Sequence, residues 1–198
     1  MSPLDKGYYS EQELAQLGFG AFGVDVKVSR NCAIIGAKNV RLGSHVRIDD
    51  YVVISAASGS LQLGSYIHIA AGVYLGCAGG VTLEDFTAIS HGTKVYSASD
   101  DYSGAALTNP TVPKKYLNVD VAPVALGRHA IIGAGSIVLP GATLGEGTAV
   151  GAMSLIKRGY LCAPWTVYFG TPARKIANRS KALLEAESAL RAESSQQP

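Results

Sequence analysis

The stretch LGRHAIIGAGSIVLPGATLGEGTAVGAMSLI, residues 126–156, returns an apolar residue every six positions, at Leu126, Ile132, Val138, Leu144, Val150 and Ile156. Glycine directly follows four of them, at Gly127, Gly133, Gly145 and Gly151. A period of six fits neither an α-helix nor simple strand alternation. It marks a β-helix, in which each short strand forms one side of a coil and a glycine or small residue turns the corner. The same beat runs upstream through Leu42, Ile48, Ile54, Leu63, Ile69, Leu75, Leu83, Ile89 and Val95, interrupted twice by two or three extra residues. Fifteen hexads make about five coils if three sides close a turn. Residues two before the markers are small or β-branched, as a narrow interior requires: Val46, Val52, Ile67, Val73, Thr87, Ser136, Ala142, Thr148 and Ser154. The residue between each such pair faces outward, so the phase sorts the outward chemistry.

Composition agrees with one domain of this kind. The chain has 198 residues, enough for a core without staples, and 23 glycines with no collagen triplet. A formal charge of +2 and the lack of an aromatic-rich basic stretch argue against nucleic-acid binding. Cys32, Cys77 and Cys162 show no metal-ligand spacing, so no metal is expected, and their odd number suits a reducing compartment. No basic head precedes an apolar run at the start, and no run approaches membrane-spanning length. The expectation is a cytoplasmic protein without membrane insertion.

In chain order, residues 1–25 read as an N-terminal capping segment. Ser10 and Glu13 form a capping box that starts a helix over about 11–17, ending at Gly18. Gly18, Gly20 and Gly23 spell G-x-G-x-x-G, but they follow a helix and precede strands, the wrong context for dinucleotide binding. They read as a flexible lead-in to a β-helix domain over 26–170. Two small irregularities, 57–60 and 77–80, fall at corners. The larger break, 97–122, is SASDDYSGAALTNPTVPKKYLNVDVA, after which the repeat resumes in phase. A loop of that length in a compact domain points to function. Residues 171–198 read as a C-terminal unit, with a helix over about 178–192 that caps the open end of the coil and a disordered tail from 194.

The hexads, the long loop, IIGAGSIVLPGATLGEGTAVGAMSLI and the exit YFGTPARKI together resemble the hexapeptide-repeat acyltransferases, all-β proteins with a left-handed parallel β-helix. Gly170, Pro172, Ala173, Arg174 and the loop placement resemble the maltose and galactoside acetyltransferase branch. The YSASDDYSG loop and the YYSEQEL start resemble sugar acetyltransferases of surface-polysaccharide pathways, such as lipopolysaccharide O-antigen, including those acting on nucleotide-linked 4-amino-4,6-dideoxyglucose. The resemblance implies a homotrimer, active sites between neighbouring subunits, and acetyl-CoA as acyl donor to a sugar or nucleotide-sugar acceptor. It also implies direct transfer, with a histidine as general base and backbone amides holding the oxyanion.

Phase puts His68 outward just before Ile69, and His91 at a corner two residues after Ile89. Each is either that base or an exposed histidine without chemistry; His45 and His129 are expected on the surface. In the maltose and galactoside branch the base is a loop histidine, and aligning the hexads puts Asp100 there. The base then moves to His68 or His91, Asp100 or Asp101 orients it or holds an amino group, or activity is lost. Ala134, Gly135 and Ala152 would let the pantetheine arm approach, and Lys157, Arg158, Arg174 and Lys175 would pair its phosphates. Trp165, Tyr168 and Phe169 either stack near the adenine or pack the C-terminal segment. Two other readings share this fold, a non-catalytic trimeric scaffold and a carbonic-anhydrase-like trimer, though the four histidines lack a clear metal-binding pattern.

Overall fold

The computed structural model describes residues 6–194. It is a three-sided parallel β-helix of about seven turns. The first face stacks Lys27–Val28, Val46–Ile48, Ile67–Ile69, Ala88–Ile89, Ile131–Ile132, Ala149–Val150 and Thr166–Gly170. The second stacks Ala33–Ile35, Val53–Ser55, Tyr74–Gly76, Lys94–Tyr96, Ile137–Val138 and Leu155–Ile156. The third stacks Val40–Leu42, Leu61–Leu63, Val81–Leu83, Val124–Leu126, Thr143–Leu144 and Leu161–Cys162. The hexad count underestimates the coils because the stack goes on past both ends of the marker series: Val28 and Ile34 sit in register with Ile48 and Ile54, and Cys162 and Tyr168 with Leu144 and Val150.

The interior follows the sequence phase. Ile48, Ile54, Ile69, Leu75, Ile132, Val138 and Leu144 have no exposure, and every residue two before a marker is buried as expected. Buried hydroxyls donate to carbonyls along the stack, as Thr93 Oγ1 does to Gly133 O at 3.1 Å and Ser136 Oγ to Gly151 O at 3.0 Å. A polar group in this narrow interior is tolerated only because it is paired.

Each corner has its own solution. At the corner between the third and first faces, His45, Tyr66, Phe86, His129 and Trp165 all take left-handed backbone angles, with φ between 52° and 61°. Such angles strain non-glycine residues. Here the repeat stacks the rings, with centroids 4.6 Å apart for His45 and Tyr66, 4.8 Å for Tyr66 and Phe86, and 5.0 Å for Phe86 and His129. Stacked pairs contribute about 0.5–1.5 kcal/mol each, enough to offset much of that strain. At the corner between the second and third faces, backbones lie too close for side chains. A Cβ on Gly59 would meet Cys77 O at 1.9 Å, and one on Gly79 would meet Ser97 O at 2.5 Å. The two small irregularities stack on each other here, and the long insertion leaves from the next coil of the same column.

Both ends differ from the sequence reading in detail. Helix α1 spans Glu11–Gln16, with the capping box on Ser10 and Glu13 formed as expected. The glycine stretch after it is packed rather than flexible: Gly20 N donates to Val40 O at 2.9 Å, and a Cβ on Gly20 would lie 2.5 Å from Lys38 O. At the other end, Ala173–Asn178 is a strand that turns back antiparallel on Thr166–Gly170. Only after it comes helix α2, Leu183–Ser194. The antiparallel strand covers the last edge of the first face, so α2 is free to lie elsewhere. It packs along the aromatic corner, where Glu187 meets His129 Nε2 at 2.7 Å and accepts from Arg128 Nη2 at 2.7 Å. His129 is therefore buried, at 7% exposure, and not a surface residue. The expected disordered tail lies outside the described residues except for Ser194, which ends α2.

Candidate active site

The insertion leaves the coil at Ser97, whose hydroxyl donates to Gly76 O at 2.7 Å and accepts from Gly79 N at 2.9 Å. It returns at Ala122, whose amide donates to Ser97 O at 3.0 Å. Between these anchors, Ala98–Ser99 pairs antiparallel with Asp120–Val121, a two-rung stem with Ser99 opposite Asp120. The loop folds back over the second face and closes a cavity of about 670 Å³ lined by Tyr74, Tyr96, Ser99, Asp100, Tyr102, Pro110, Val119, Ile137 and Leu139. Tyr74 and Tyr96 lie 5.3 Å apart with tilted rings. Gly76 has no side chain because the Tyr74 ring lies over it, 2.9 Å from where a Cβ would be. Burial, reinforced by Tyr74 and Tyr102, pushes the Tyr96 phenol up, so it stays a neutral hydrogen-bonding group. The cavity thus has an apolar, aromatic wall and one carboxylate, Asp100, on the loop.

Asp101 behaves differently from its neighbour. Its Oδ1 accepts from Ser103 N at 2.8 Å, and this hydrogen bonding holds its carboxyl below the usual range. It closes a local turn of the loop and does not line the cavity.

The structure separates the two histidine candidates. His68 stands on the outer side of the first face with Nε2 2.7 Å from Asp49 Oδ2. Asp49 also accepts from Arg47 Nε at 2.6 Å and from the Tyr8 hydroxyl at 3.2 Å. Burial alone would raise the Asp49 carboxyl, but the His68 and Arg47 hydrogen bonds outweigh it and hold it low. His91 is exposed at the corner between the first and second faces, the corner that leads directly into Lys94–Tyr96 and the cavity side.

That corner gathers several residues singled out from the sequence. Gly135 N donates to His91 O at 2.9 Å and Met153 N donates to Ala134 O at 2.8 Å, so His91, Ala134 and Ala152 form one column. Gly135 has φ 68°, where a side chain would be strained, and a Cβ there would lie 2.5 Å from Met153 Sδ and push that exposed side chain aside. Thr171 Oγ1 donates to Met153 O at 3.0 Å, so the turn leading to Arg174 and Lys175 starts at the top of this column. Lys157 and Arg158 stand one corner away, and Arg158 is bonded to Asp120 on the loop stem. Trp165 closes the aromatic corner, its ring 6.1 Å from that of His129 and under the Lys181 ammonium. Among the described residues, no group of three or more His, Cys, Asp or Glu side chains is placed to hold a metal. No helix among them is long and apolar enough to cross a membrane.

No protein-family model matches the chain. It is 42% identical over 184 residues, 93% of its length and 95% of the relative's, to the dTDP-4-amino-4,6-dideoxy-D-glucose acyltransferase of Escherichia coli. The chain therefore belongs to this family of hexapeptide-repeat, left-handed β-helix acyltransferases. Among solved structures it matches AntD, an N-acyltransferase from Bacillus cereus in complex with dTDP-4-amino-4,6-dideoxyglucose and coenzyme A, with TM-score 0.90 and 40% identity over 95% of this chain and 98% of that one. A complex of AntD with dTDP and 3-hydroxybutyryl-CoA also matches at TM-score 0.90. Variants of AntD at one serine and at one aspartate, ten positions apart in its chain, are among these structures. A maltose O-acetyltransferase from Clostridium difficile, at 20% identity and TM-score 0.54, shares the fold alone. Of the two branches that the sequence resembles, the nucleotide-aminosugar one is therefore much nearer. Ser90 stands ten positions before Asp100, at the corner beside His91.

Proposed function

We propose that this protein transfers an acyl group from a coenzyme A thioester to the 4-amino group of dTDP-4-amino-4,6-dideoxyglucose, feeding surface-polysaccharide assembly such as that of O-antigen. It would act in the cytoplasm as a homotrimer, with acetyl-CoA as donor. The observation that carries the acceptor half is the loop carboxylate, Asp100, lining an aromatic and apolar cavity over the second face, the face that follows the corner carrying Ser90 and His91 in the chain. An aminosugar brings an ammonium for the carboxylate, and a deoxysugar ring brings C–H faces and a methyl group for Tyr74, Tyr96, Ile137 and Leu139.

The chemistry is an addition to the thioester carbonyl followed by loss of sulfur. The bound ammonium first sheds one proton, so that the nitrogen lone pair can form the new C–N bond. The C–S bond then breaks, and the second amine proton ends on the departing thiolate. Asp100 and the Ser90 hydroxyl would hold the nitrogen in line, and His91 would take the first proton. Ala134, Gly135 and Ala152 form a wall of small side chains at the same corner, suited to a pantetheine arm, with Arg174 and Lys175 toward its phosphate end. His68, engaged by Asp49 on another face, is left outside this scheme.

The test is thiol release from acetyl-CoA and 3-hydroxybutyryl-CoA with dTDP-4-amino-4,6-dideoxyglucose against plain sugars. Release with the aminosugar alone, and a kcat/KM loss of about 100-fold in Asp100→Ala but little change in His68→Ala, is the expected result. Release with hydroxyl sugars, or an unimpaired Asp100→Ala, would overturn it.

A further inference from the structure

Arg158, one of the basic residues that the sequence offers for coenzyme A phosphates, has another use in the structure. It stands on the turn 157–160, stacked on the coil below through Gly159 N to Pro140 O at 2.9 Å. That lower corner in turn stacks on the loop's return point: a Cβ on Gly141 would meet Ala122 Cβ and Gly159 Cα, each at 3.4 Å. From there the Arg158 side chain reaches back across one coil to the loop stem. Nη2 donates to Asp120 Oδ1 at 2.6 Å while Nε donates to Oδ2, a two-pronged bond. Asp120 faces Ser99 across the stem, and Ser99 is the residue before Asp100.

We propose that Arg158 is a positioning residue for the acceptor site: its fork on Asp120 fixes the direction of the two-rung stem and so the place of Asp100 over the second face. The proposal rests on the reading of Asp100 as the group that holds the acceptor amine. A ladder of two rungs is marginal alone and leaves its far end free to swing. A planar fork on a carboxylate removes that freedom, because both oxygens are fixed in one plane. The Asp120 carboxyl is held low by the guanidinium, as expected of a bond made to its charged form. A lysine would reach with a point charge and fix no plane.

The phosphate reading and the stem reading predict different kinetics. Arg158→Ala should raise KM for the aminosugar about tenfold, leave KM for acyl-CoA within about twofold, and leave the thermal midpoint unchanged. Arg158→Lys should recover only part of the acceptor affinity. The exchanged pair, Arg158→Asp with Asp120→Arg, should recover more than either single change, since the fork is rebuilt in reverse. A rise in acyl-CoA KM instead would make Arg158 a phosphate ligand and overturn the proposal. Unchanged constants in Arg158→Ala, beside a large loss in Asp100→Ala, would overturn it while leaving the Asp100 reading intact. A harmless Asp100→Ala would remove both.

Discussion

The coil and the loop it carries obey opposite rules. In the coil, a side chain repeats the position of the one a turn below, and backbone hydrogen bonds run from turn to turn, so neighbours stabilise each other additively. In the loop, Tyr102, Leu107, Tyr116, Val119 and Val121 are all exposed. Its order comes from the two-rung stem, the Arg158 fork, local turns such as that of Asp101, and one bridge between Leu107 and Leu117. The contrast teaches what each part can add to the proposed site: the coil holds Ser90 and His91 on a fixed backbone, and the loop brings the Asp100 carboxylate.

The largest effect should come from separating the two. Replacing residues 100–119 by Asn-Gly would join Ser99 to Asp120 through a two-residue turn, a connection that suits an antiparallel stem. Acyl transfer should fall below detection, while the unfolding midpoint moves by no more than about 4 °C, equivalent to about 1 kcal/mol. Loss of the cooperative transition would show that the loop also supports the coil. Retained activity would sink the assignment of Asp100.

A core substitution should do the reverse. Ile132 has no exposure, and cutting it to alanine should cost about 2–5 kcal/mol in urea unfolding. Ile137, five residues on but facing outward at 36% exposure, should cost less than about 1 kcal/mol on the same replacement. Equal losses would mean that the six-residue phase does not separate inside from outside.

That phase explains how much could be read in advance. Leu126, Ile132 and Val138 fixed the period, the period fixed which residues are buried, and Ser97 marked where the loop departs. The number of coils was missed at the ends, where Val28 and Ile34 are separated from Leu42 by two extra residues and where a cysteine and a tyrosine, Cys162 and Tyr168, take the marker positions in place of an aliphatic residue. His129 was misplaced because its burial depends on a helix some fifty-eight residues away, through Glu187. Arg158 illustrates the same limit, since its partner Asp120 lies 38 residues earlier in a loop that has no period. Phase reports the distance from the axis; it carries no information on which exposed charges find each other.

The smallest effect concerns the joint between the coil and α2, and it depends on pH. Burial pushes the Glu187 carboxyl up, but hydrogen bonds from Arg191 and His129 and the nearby charge of Arg128 outweigh it, leaving the group below its ordinary value. A carboxylate lowered in the folded state adds stability that is complete above the ordinary glutamate range, about 4.3, and disappears as pH falls through the lower folded value. The docking of α2 should therefore be strongest near neutral pH and weaken in acid. Amide exchange reads this locally: protection of 184–192 should drop between pH 6 and pH 3, relative to intrinsic rates, while protection of 126–156 stays unchanged. In Glu187→Gln the protection of α2 should already be reduced at pH 6 and should not change further in acid. A drop of equal size in both segments would mean that acid acts on the coil as a whole rather than on the Glu187 joint.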